Sequence, residues 1–455
     1  MKPYFLALWA LVLLLSVAGC ATPRDTAWPE PRPLGDAFPA YRPPISPTGD
    51  NAPSSAPSAE PEGLTLREAL ARALLLNPEL RAFAWEVRAR EARTLQAGLP
   101  PNPEIGAEME NFAGTGSLGG TDAAEVTAGF SQLIELGGDR RRRRRVAALE
   151  RDLAGWNYET VRLDVLTETV QAFVGVLAAQ ERLLLADSLL ALAQQFYQTV
   201  SERAEAGKVS ALEERRARVV LSTTQIENER TARALTVARA LLSAAWGSTT
   251  PAFERVVGAL DEVEAVPDYD LLDAFIARNP DVARWREEMA LRRADIALEK
   301  ARRIPDPILS VGPRRIRELG ETSFVAGISI PLPLFDRNQG AIQEAEYRLR
   351  QGDAGQQAAE VLARRMLAGA YERLATAYTE VTTLRQDVLP AAQENFDATE
   401  EGYREGKFDL LTVLDAQRTL FETTNQYVDA LLAYHQTRAE VERLIGTPLT
   451  DLSNQ

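Results

Sequence analysis

Residues 163–184 read LDVLTETVQAFVGVLAAQERLL. Leu163, Leu166, Val170, Phe173, Leu177 and Leu184 follow one another at steps of three, four, three, four and seven. That spacing keeps one apolar stripe on one side of a helix and implies left-handed coiled-coil packing. The helical pattern extends from about Asp139 to about Glu205, a span on the order of 100 Å at ~1.5 Å per residue, too long for the core of a compact domain. It recurs from about Asn338 to about Glu405, where Leu367, Leu374, Val381 and Val388 step by sevens with Ala370, Ala377 and Leu384 between them. Pro390 interrupts this second stretch and should kink it or leave a carbonyl unpaired. Each stretch stops at a Gly-Lys pair, Gly207-Lys208 or Gly406-Lys407, and then reverses into another helix, Val209 to Trp246 or Phe408 to Ile445. Glycine at such a helix end supplies the left-handed conformation. The expectation is two coiled-coil hairpins.

The two hairpins belong to a tandem repeat. Asn77-Pro78 recurs as Asn279-Pro280, Pro101-Asn102-Pro103 as Pro305-Asp306-Pro307, Gly207-Lys208 as Gly406-Lys407, and Gly247 as Gly446. Matches in the same order at nearly constant offset mark an internal duplication. Each half opens with a short helix and a second helix starting at the Asn-Pro, where proline suits the first turn. Two segments of period two follow and read as strands: Pro103 to Phe112 and Glu125 to Leu133 in the first half, Pro307 to Gly312 and Ser323 to Leu332 in the second. In the first strand Glu104, Glu108 and Glu110 share one face, while Ile105, Ala107 and Met109 share the other. The domains expected are a first repeat over 63–250, a linker over 251–267, a second repeat over 268–447 and a tail over 448–455.

The N-terminus points to a bacterial envelope protein. A basic start at Lys2 and an apolar run from Phe5 to Val17 suit a signal peptide over 1–19. The run is too short to cross a bilayer, which takes ~20 residues. It ends in Val17-Ala18-Gly19-Cys20, which resembles the lipobox of bacterial lipoproteins. Cys20 is the only cysteine, so it reads as a lipid attachment site, and Ala21 is not the aspartate of inner-membrane retention. Residues 20–62 carry eleven prolines and read as an extended tether. With a formal charge of −14, nucleic acid is an unsuitable partner.

Nothing after residue 20 reads as a second transmembrane helix, so a membrane-spanning part would have to be a closed barrel. Two β-hairpins cannot close one, and their open edges cannot face lipid. Three identical chains with four strands each would share a barrel of twelve, within the range of outer-membrane barrels. The fold class expected is mainly α with a small β part: a trimeric α-helical coiled-coil barrel topped by a shared 12-stranded membrane β-barrel. Glu104, Glu108 and Glu110 would then line the lumen, and the apolar face would meet lipid.

The repeat, the lipobox, Phe130-Ser131-Gln132 before Leu136-Gly137-Gly138, and the two Gly-Lys turns resemble the TolC-like outer-membrane factors. The segment 327–340, GISIPLPLFDRNQG, looks most like the branch serving heavy-metal cation efflux. The resemblance covers about residues 64 to 446. It implies a lipid-anchored homotrimer in the outer membrane with a long periplasmic extension, docked to a periplasmic adaptor and a proton-driven inner-membrane cation pump. It implies adaptor docking at Gly207, Lys208, Gly406 and Lys407, with a pore constriction just past the turns. Asp415 matches the second acidic position of that constriction, Thr412 stands at the first, and Glu213 falls at the matching place after the first turn. Phe408 stands where some relatives carry an arginine. Drug export or type I protein secretion through the same fold, and a coiled-coil lipoprotein scaffold without a pore, are the alternatives.

Other patterns resemble chemistry. Gly114, Gly116 and Gly119 spell the dinucleotide fingerprint, but a second strand follows them where a helix is required. Arg140 to Arg145 form a run in which Arg140, Arg141 and Arg142 could snorkel to phospholipid headgroups at the bilayer edge. His435 is the single histidine, so neither a metal centre nor a Ser/His/Asp set is expected. No cofactor and no enzymatic activity are expected.

Overall fold

The structure, a computed structural model, describes residues 63–452. Cys20 and the proline-rich stretch lie outside the described residues, so the lipid-attachment reading is not addressed there. In chain order the elements are β1 (Leu64–Thr65), α1 (Leu66–Leu76), α2 (Pro78–Ala97), β2 (Glu104–Glu110), β3 (Glu125–Leu133), α3 (Asp139–Glu205) and α4 (Ala211–Ala244). They continue with β4 (Val256–Val257), α5 (Tyr269–Asp273), α6 (Pro280–Ala283), α7 (Trp285–Ala301), β5 (Ile308–Ile316), β6 (Glu321–Ser329), α8 (Gln339–Thr383), α9 (Leu389–Arg404) and α10 (Leu410–Ile445). The chain is mainly helical with a small sheet part. It divides into two compact units: a sheet-bearing unit of Glu86–Trp156 and Arg284–Ala358, and a helical unit of 63–85, Asn157–Ala283 and 359–452.

In the helical unit the heptad stripe is buried, with two corrections. Leu163, Leu166, Phe173 and Leu177 are buried, but Leu184 is 60% exposed. The continuing seam consists of Ala179, Ala186, Ala193 and Val200, all buried and each seven residues from the last. Alanine lets helices approach closely and is weakly apolar, so the larger leucine beside it misled the sequence reading. In α8 and the turn after it, Ala363, Leu367, Ala370, Leu374, Ala377, Val381 and Leu384 are buried as the spacing requires, but Val388 is not. The cause is a π-helical turn over Leu384–Val388, closed by the Leu389 N–H donating to the Leu384 carbonyl. Pro390 follows it at once, in the first turn of α9. A proline ring crowds the carbonyl four residues earlier, and a π-bulge is one way a helix absorbs that crowding. The extra residue displaces the seam, whose next buried positions are Ala392 and Thr399.

The repeated Asn-Pro is a double joint. Asn77 Oδ1 accepts from the Leu80 N–H at 2.9 Å, capping α2, while Asn77 Nδ2 donates to the Ala245 carbonyl at 2.8 Å. Asn279 Oδ1 accepts from the Asp281 N–H at 2.7 Å, and its Nδ2 donates to the Leu444 carbonyl at 2.8 Å. Both side chains are buried. Each therefore satisfies a helix start and a helix end together, groups that would otherwise be orphaned. The opening helix of the second half is more broken than expected: α5 and a short 3₁₀ turn precede α6, and α7 starts after Arg284.

Residues 251–267, expected as a linker, pack closely. Val256 pairs in parallel with Leu64, and the Gln180 side chain bonds both the N–H and the carbonyl of Val256, at 2.8 and 3.1 Å. The Tyr434 hydroxyl bonds the Glu264 N–H and carbonyl, both at 2.9 Å. His435 Nε2 lies 2.8 Å from the Leu260 carbonyl, so its ring meets the chain between β4 and α5. Burial holds this imidazole below its ordinary pKa. Its contribution is therefore complete above the ordinary imidazole value and lost as pH falls through that value toward the folded one.

In the sheet-bearing unit β2, β3, β5 and β6 form an antiparallel sheet in that order. Leu149, Leu153 and Leu291 make a small core there, and Gly355 is needed because a Cβ would come within 2.5 Å of the Trp285 ring. The second strand pair differs from expectation, since β5 runs on through Pro313 to Ile316 and β6 ends at Ser329. At Gly312 the backbone of β3 comes so close that a Cβ would collide with the Ala128 carbonyl. The missing side chain and the missing proline N–H thus fall together, where β3 and β5 leave the ladder for two residues.

Substituting Asn77 or Asn279 by alanine should each lower stability by about 1–3 kcal/mol, since a cap and a buried amide bond are lost together. Detergent-solubilised protein unfolded in urea, followed by tryptophan fluorescence, measures this. The double variant should be near additive, because the two joints share no partner.

Candidate functional site

The sheet is sorted by face. Register places Ile105, Ala107 and Met109 of β2 beside Phe130, Ala128 and Val126 of β3. Phe130 and Gln132 lie opposite Val311 and Leu309 of β5, which in turn face Ala326 and Ile328 of β6. Ile105, Val311, Phe324 and Ile328 are more than half exposed. A folded chain that leaves such a continuous apolar face open marks a surface that meets lipid or a partner. Among the described residues, the two outer strands, β2 and β6, each keep one unpaired edge.

The other face is polar. It carries Glu104, Glu108 and Glu110, then Glu125, Thr127 and Ser131, then Ser310 and Arg314, then Glu321, Ser323 and Ser329. Among the described residues no basic group pairs with Glu104 or Glu108. Glu110 differs: Arg314 Nη2 lies 3.1 Å from its carboxylate, and Arg314 Nη1 lies 3.1 Å from Glu125. Arg314 Nε also donates to Thr127 Oγ1 at 2.9 Å. Sequence reading missed Arg314 because it ended the strand at Gly312, before the proline.

The helical turns form the second locality. Gly207 and Gly406 have φ of +68° and +76°. At the first turn the Gly207 N–H bonds the Ala204 carbonyl and the Lys208 N–H the Arg203 carbonyl. At the second the Gly406 N–H bonds Tyr403 and the Lys407 N–H bonds Gly402. Both are Schellman motifs, which satisfy the last carbonyls of each helix. Lys208 is exposed, and Lys407 pairs with Glu405. The following helices start at Ser210, which accepts from the Glu213 N–H at 3.4 Å, and at Asp409, which accepts from the Thr412 N–H at 3.0 Å. These caps sit at the same offset as the glycines, a regularity by which sequence reading could have found them.

This capping defines what Thr412 does. Its hydroxyl is bonded to the Asp409 carboxylate, which those two bonds from Thr412 hold below the ordinary carboxylate pKa. Asp415 is exposed one turn further on, and Glu213 is half-buried. No hydrogen bond or ion pair joins Glu213 to Asp415 in the chain. The two turns are nonetheless linked, because Arg203 Nη1 donates to the Tyr403 hydroxyl at 3.0 Å. Val200 and Ala217 are buried there with Tyr197, Tyr403 and Leu414 against them. The Phe408 ring lies against Gly402, where a Cβ would collide with it.

The arginine run opens α3. Arg140 and Arg141 are exposed, but Arg142 bonds the Gly137 carbonyl and Arg143 pairs with Glu135. Part of the run therefore holds the strand-to-helix corner. The three glycines of the apparent dinucleotide motif lie in the loop between β2 and β3, around a short 3₁₀ turn at Gly116–Leu118. Among the described residues no His, Cys, Asp and Glu group has the arrangement of a metal site.

A two-faced sheet with open edges, joined to helical hairpins that end in glycine turns, is a fold known from bacterial channel proteins. The solved structure of CusC, described in terms of transmembrane channel formation, matches with a TM-score of 0.69 at 19% identity, over 84% of this chain and 92% of that one. Sequence comparison goes further. The outer membrane efflux protein family matches twice, over residues 69–248 and 271–447. The cobalt-zinc-cadmium resistance protein CzcC of Cupriavidus metallidurans is 35% identical over 84% of this chain and 90% of its own length. The nickel-cobalt-cadmium resistance protein NccC of Alcaligenes xylosoxydans xylosoxydans is 28% identical over 66% of this chain and 67% of its own. The chain belongs to the outer membrane efflux protein family.

Asp409→Ala should loosen the second turn while leaving the first intact. Hydrogen exchange over residues 406–413 should quicken and that over 207–214 should not. Because the Asp409 pKa is lowered, its contribution is present above the ordinary carboxylate value and lost as pH falls below it. The difference between the variant and the unaltered chain should thus shrink in acid.

Proposed function

We propose that the chain is the outer-membrane exit duct of a tripartite efflux system for heavy-metal cations, acting as a passive channel and not an enzyme. The observation that carries the channel reading is the four-stranded sheet, apolar on one face, polar on the other, and open at both edges. Three chains supply twelve strands, close both edges, and turn the apolar faces to lipid and the polar faces inward. The similarity to CzcC and NccC supports divalent metal cations as the cargo. Energy comes from an inner-membrane pump, so the duct needs no catalytic residue or cofactor.

In this arrangement the turns at Gly207-Lys208 and Gly406-Lys407 meet a periplasmic adaptor. Three copies of Glu213 and Asp415 form negative rings that favour cations. Thr412, with its hydroxyl engaged by Asp409, contributes no charge there. Glu104, Glu108 and Glu110 line the lumen of the barrel. Arg140 and Arg141, exposed at the start of α3, face phospholipid headgroups, and Arg142 steadies the corner between them. Cys20 carries the lipid, and the stretch to residue 62 tethers it.

Deleting the gene should sensitise cells to zinc, cobalt, cadmium or nickel salts and leave common drugs unaffected. Sensitivity to drugs alone would discard the cargo and keep the channel. In bilayer recordings, Asp415→Ala should reduce preference for cations, and an unchanged reversal potential would remove Asp415 from the constriction.

A further inference from the structure

We propose that Arg314 sets the ion preference at the loop end of the sheet by neutralising a facing pair of carboxylates, Glu110 and Glu125. This rests on the reading of the polar face as a lumen, and deepens it.

Glu110 and Glu125 are direct cross-strand partners on that face. Like charges placed opposite one another repel and should push the β2–β3 hairpin apart at its end. Arg314, on the third strand opposite Thr127, removes the conflict. One guanidinium donates to Glu125 at 3.1 Å and to the Thr127 hydroxyl at 2.9 Å, and forms an ion pair with Glu110 at 3.1 Å. The planar fork of arginine allows this division, and a lysine ammonium would reach fewer of the three. Asn111 Nδ2 completes the set, donating to Glu125 at 3.2 Å.

Arg314 is also the only basic residue that register places on the polar face of the four strands. Arg315 falls on the apolar face beside Thr322, and Arg317 lies in the β5–β6 turn, bonded to Thr121. The face therefore carries Glu104, Glu108, Glu110, Glu125 and Glu321 against one positive charge. Arg314 shares a row with Glu108 and Thr127, and Glu110, Glu125 and Glu321 lie one row nearer the loops. The loop end therefore carries three carboxylates against one guanidinium, a smaller negative excess than the carboxylates alone would give. A cation there meets a weaker holding field than three unopposed carboxylates would set, the condition that conduction sets against tight binding.

The test is reversal potential in planar bilayers under a KCl gradient, using purified full-length protein. Arg314→Gln should move the potential toward that of potassium, with a roughly twofold rise in the potassium-to-chloride permeability ratio, since the cluster gains one net negative charge per chain. Glu110→Gln with Glu125→Gln should move it the opposite way. Arg314→Lys should restore the unaltered potential while lowering thermal stability, separating charge from scaffolding. The triple variant, with all three groups neutral, leaves no charge unpaired and keeps the comparison if Arg314→Gln does not fold. An unchanged potential in Arg314→Gln, or equal shifts in the Gln and Lys variants, would overturn the assignment. Failure of the unaltered protein to conduct at all would instead overturn the channel reading beneath it.

Discussion

Two buried asparagine amides fix the axial register of everything else in the helical unit. A seam that repeats every seven residues is degenerate, since sliding one helix past another by a heptad restores most of its contacts. The hydrophobic effect alone would tolerate that slip. The Asn77 and Asn279 amides do not, because each must meet one carbonyl, Ala245 or Leu444, at the end of the returning helix. A slip would leave a buried cap and a buried carbonyl unpaired, at about 1–3 kcal/mol for each group. The polar joint therefore supplies what the apolar seam lacks, a single position.

Much of this could be read from the sequence, and the failures have a common cause. The ends of the first long helix, the strand Glu125–Leu133 and the two Gly-Lys turns follow from spacing and turn chemistry, which are local. The alanine seam of Ala179, Ala186 and Ala193 does not, because what buries an alanine is the closeness of the neighbouring helix, and that is set elsewhere. Pro313 misled in the same way. A proline inside a run argues against a central strand, and only the close passage of the Ala128 carbonyl reveals why glycine and proline are both accommodated. Of the candidate site, the acidic face of β2 was legible from alternation. Its counter-charge was not, because Arg314 lies some two hundred residues away and meets Glu110 only through the strand between them.

The sheet answers a different constraint from the helices. Its faces differ in polarity, with exceptions such as Arg315 on one and Ile308 and Ile316 on the other, yet most of its residues are exposed in the single chain. Selection for a core cannot produce this, since neither face is covered. In the proposed channel the sorting answers to lipid and lumen, and the open edges of β2 and β6 are where neighbouring chains attach. Membership of the outer membrane efflux protein family and the geometry of the sheet thus converge from independent directions.

The π-turn at Leu384–Val388 breaks the equivalence of the two halves. Inserting one residue into a turn rotates all that follows by about 100° about the helix axis, relative to an uninterrupted helix. It is a dislocation, and α3 carries no counterpart. The duplicated ancestor that the repeat implies would have presented two interchangeable hairpins. This chain presents two unlike ones, the second carrying a π-turn that the first lacks. Any ring assembled from several such chains would accordingly alternate between two kinds of tip, and a partner fitted to one kind would find half as many places to stand.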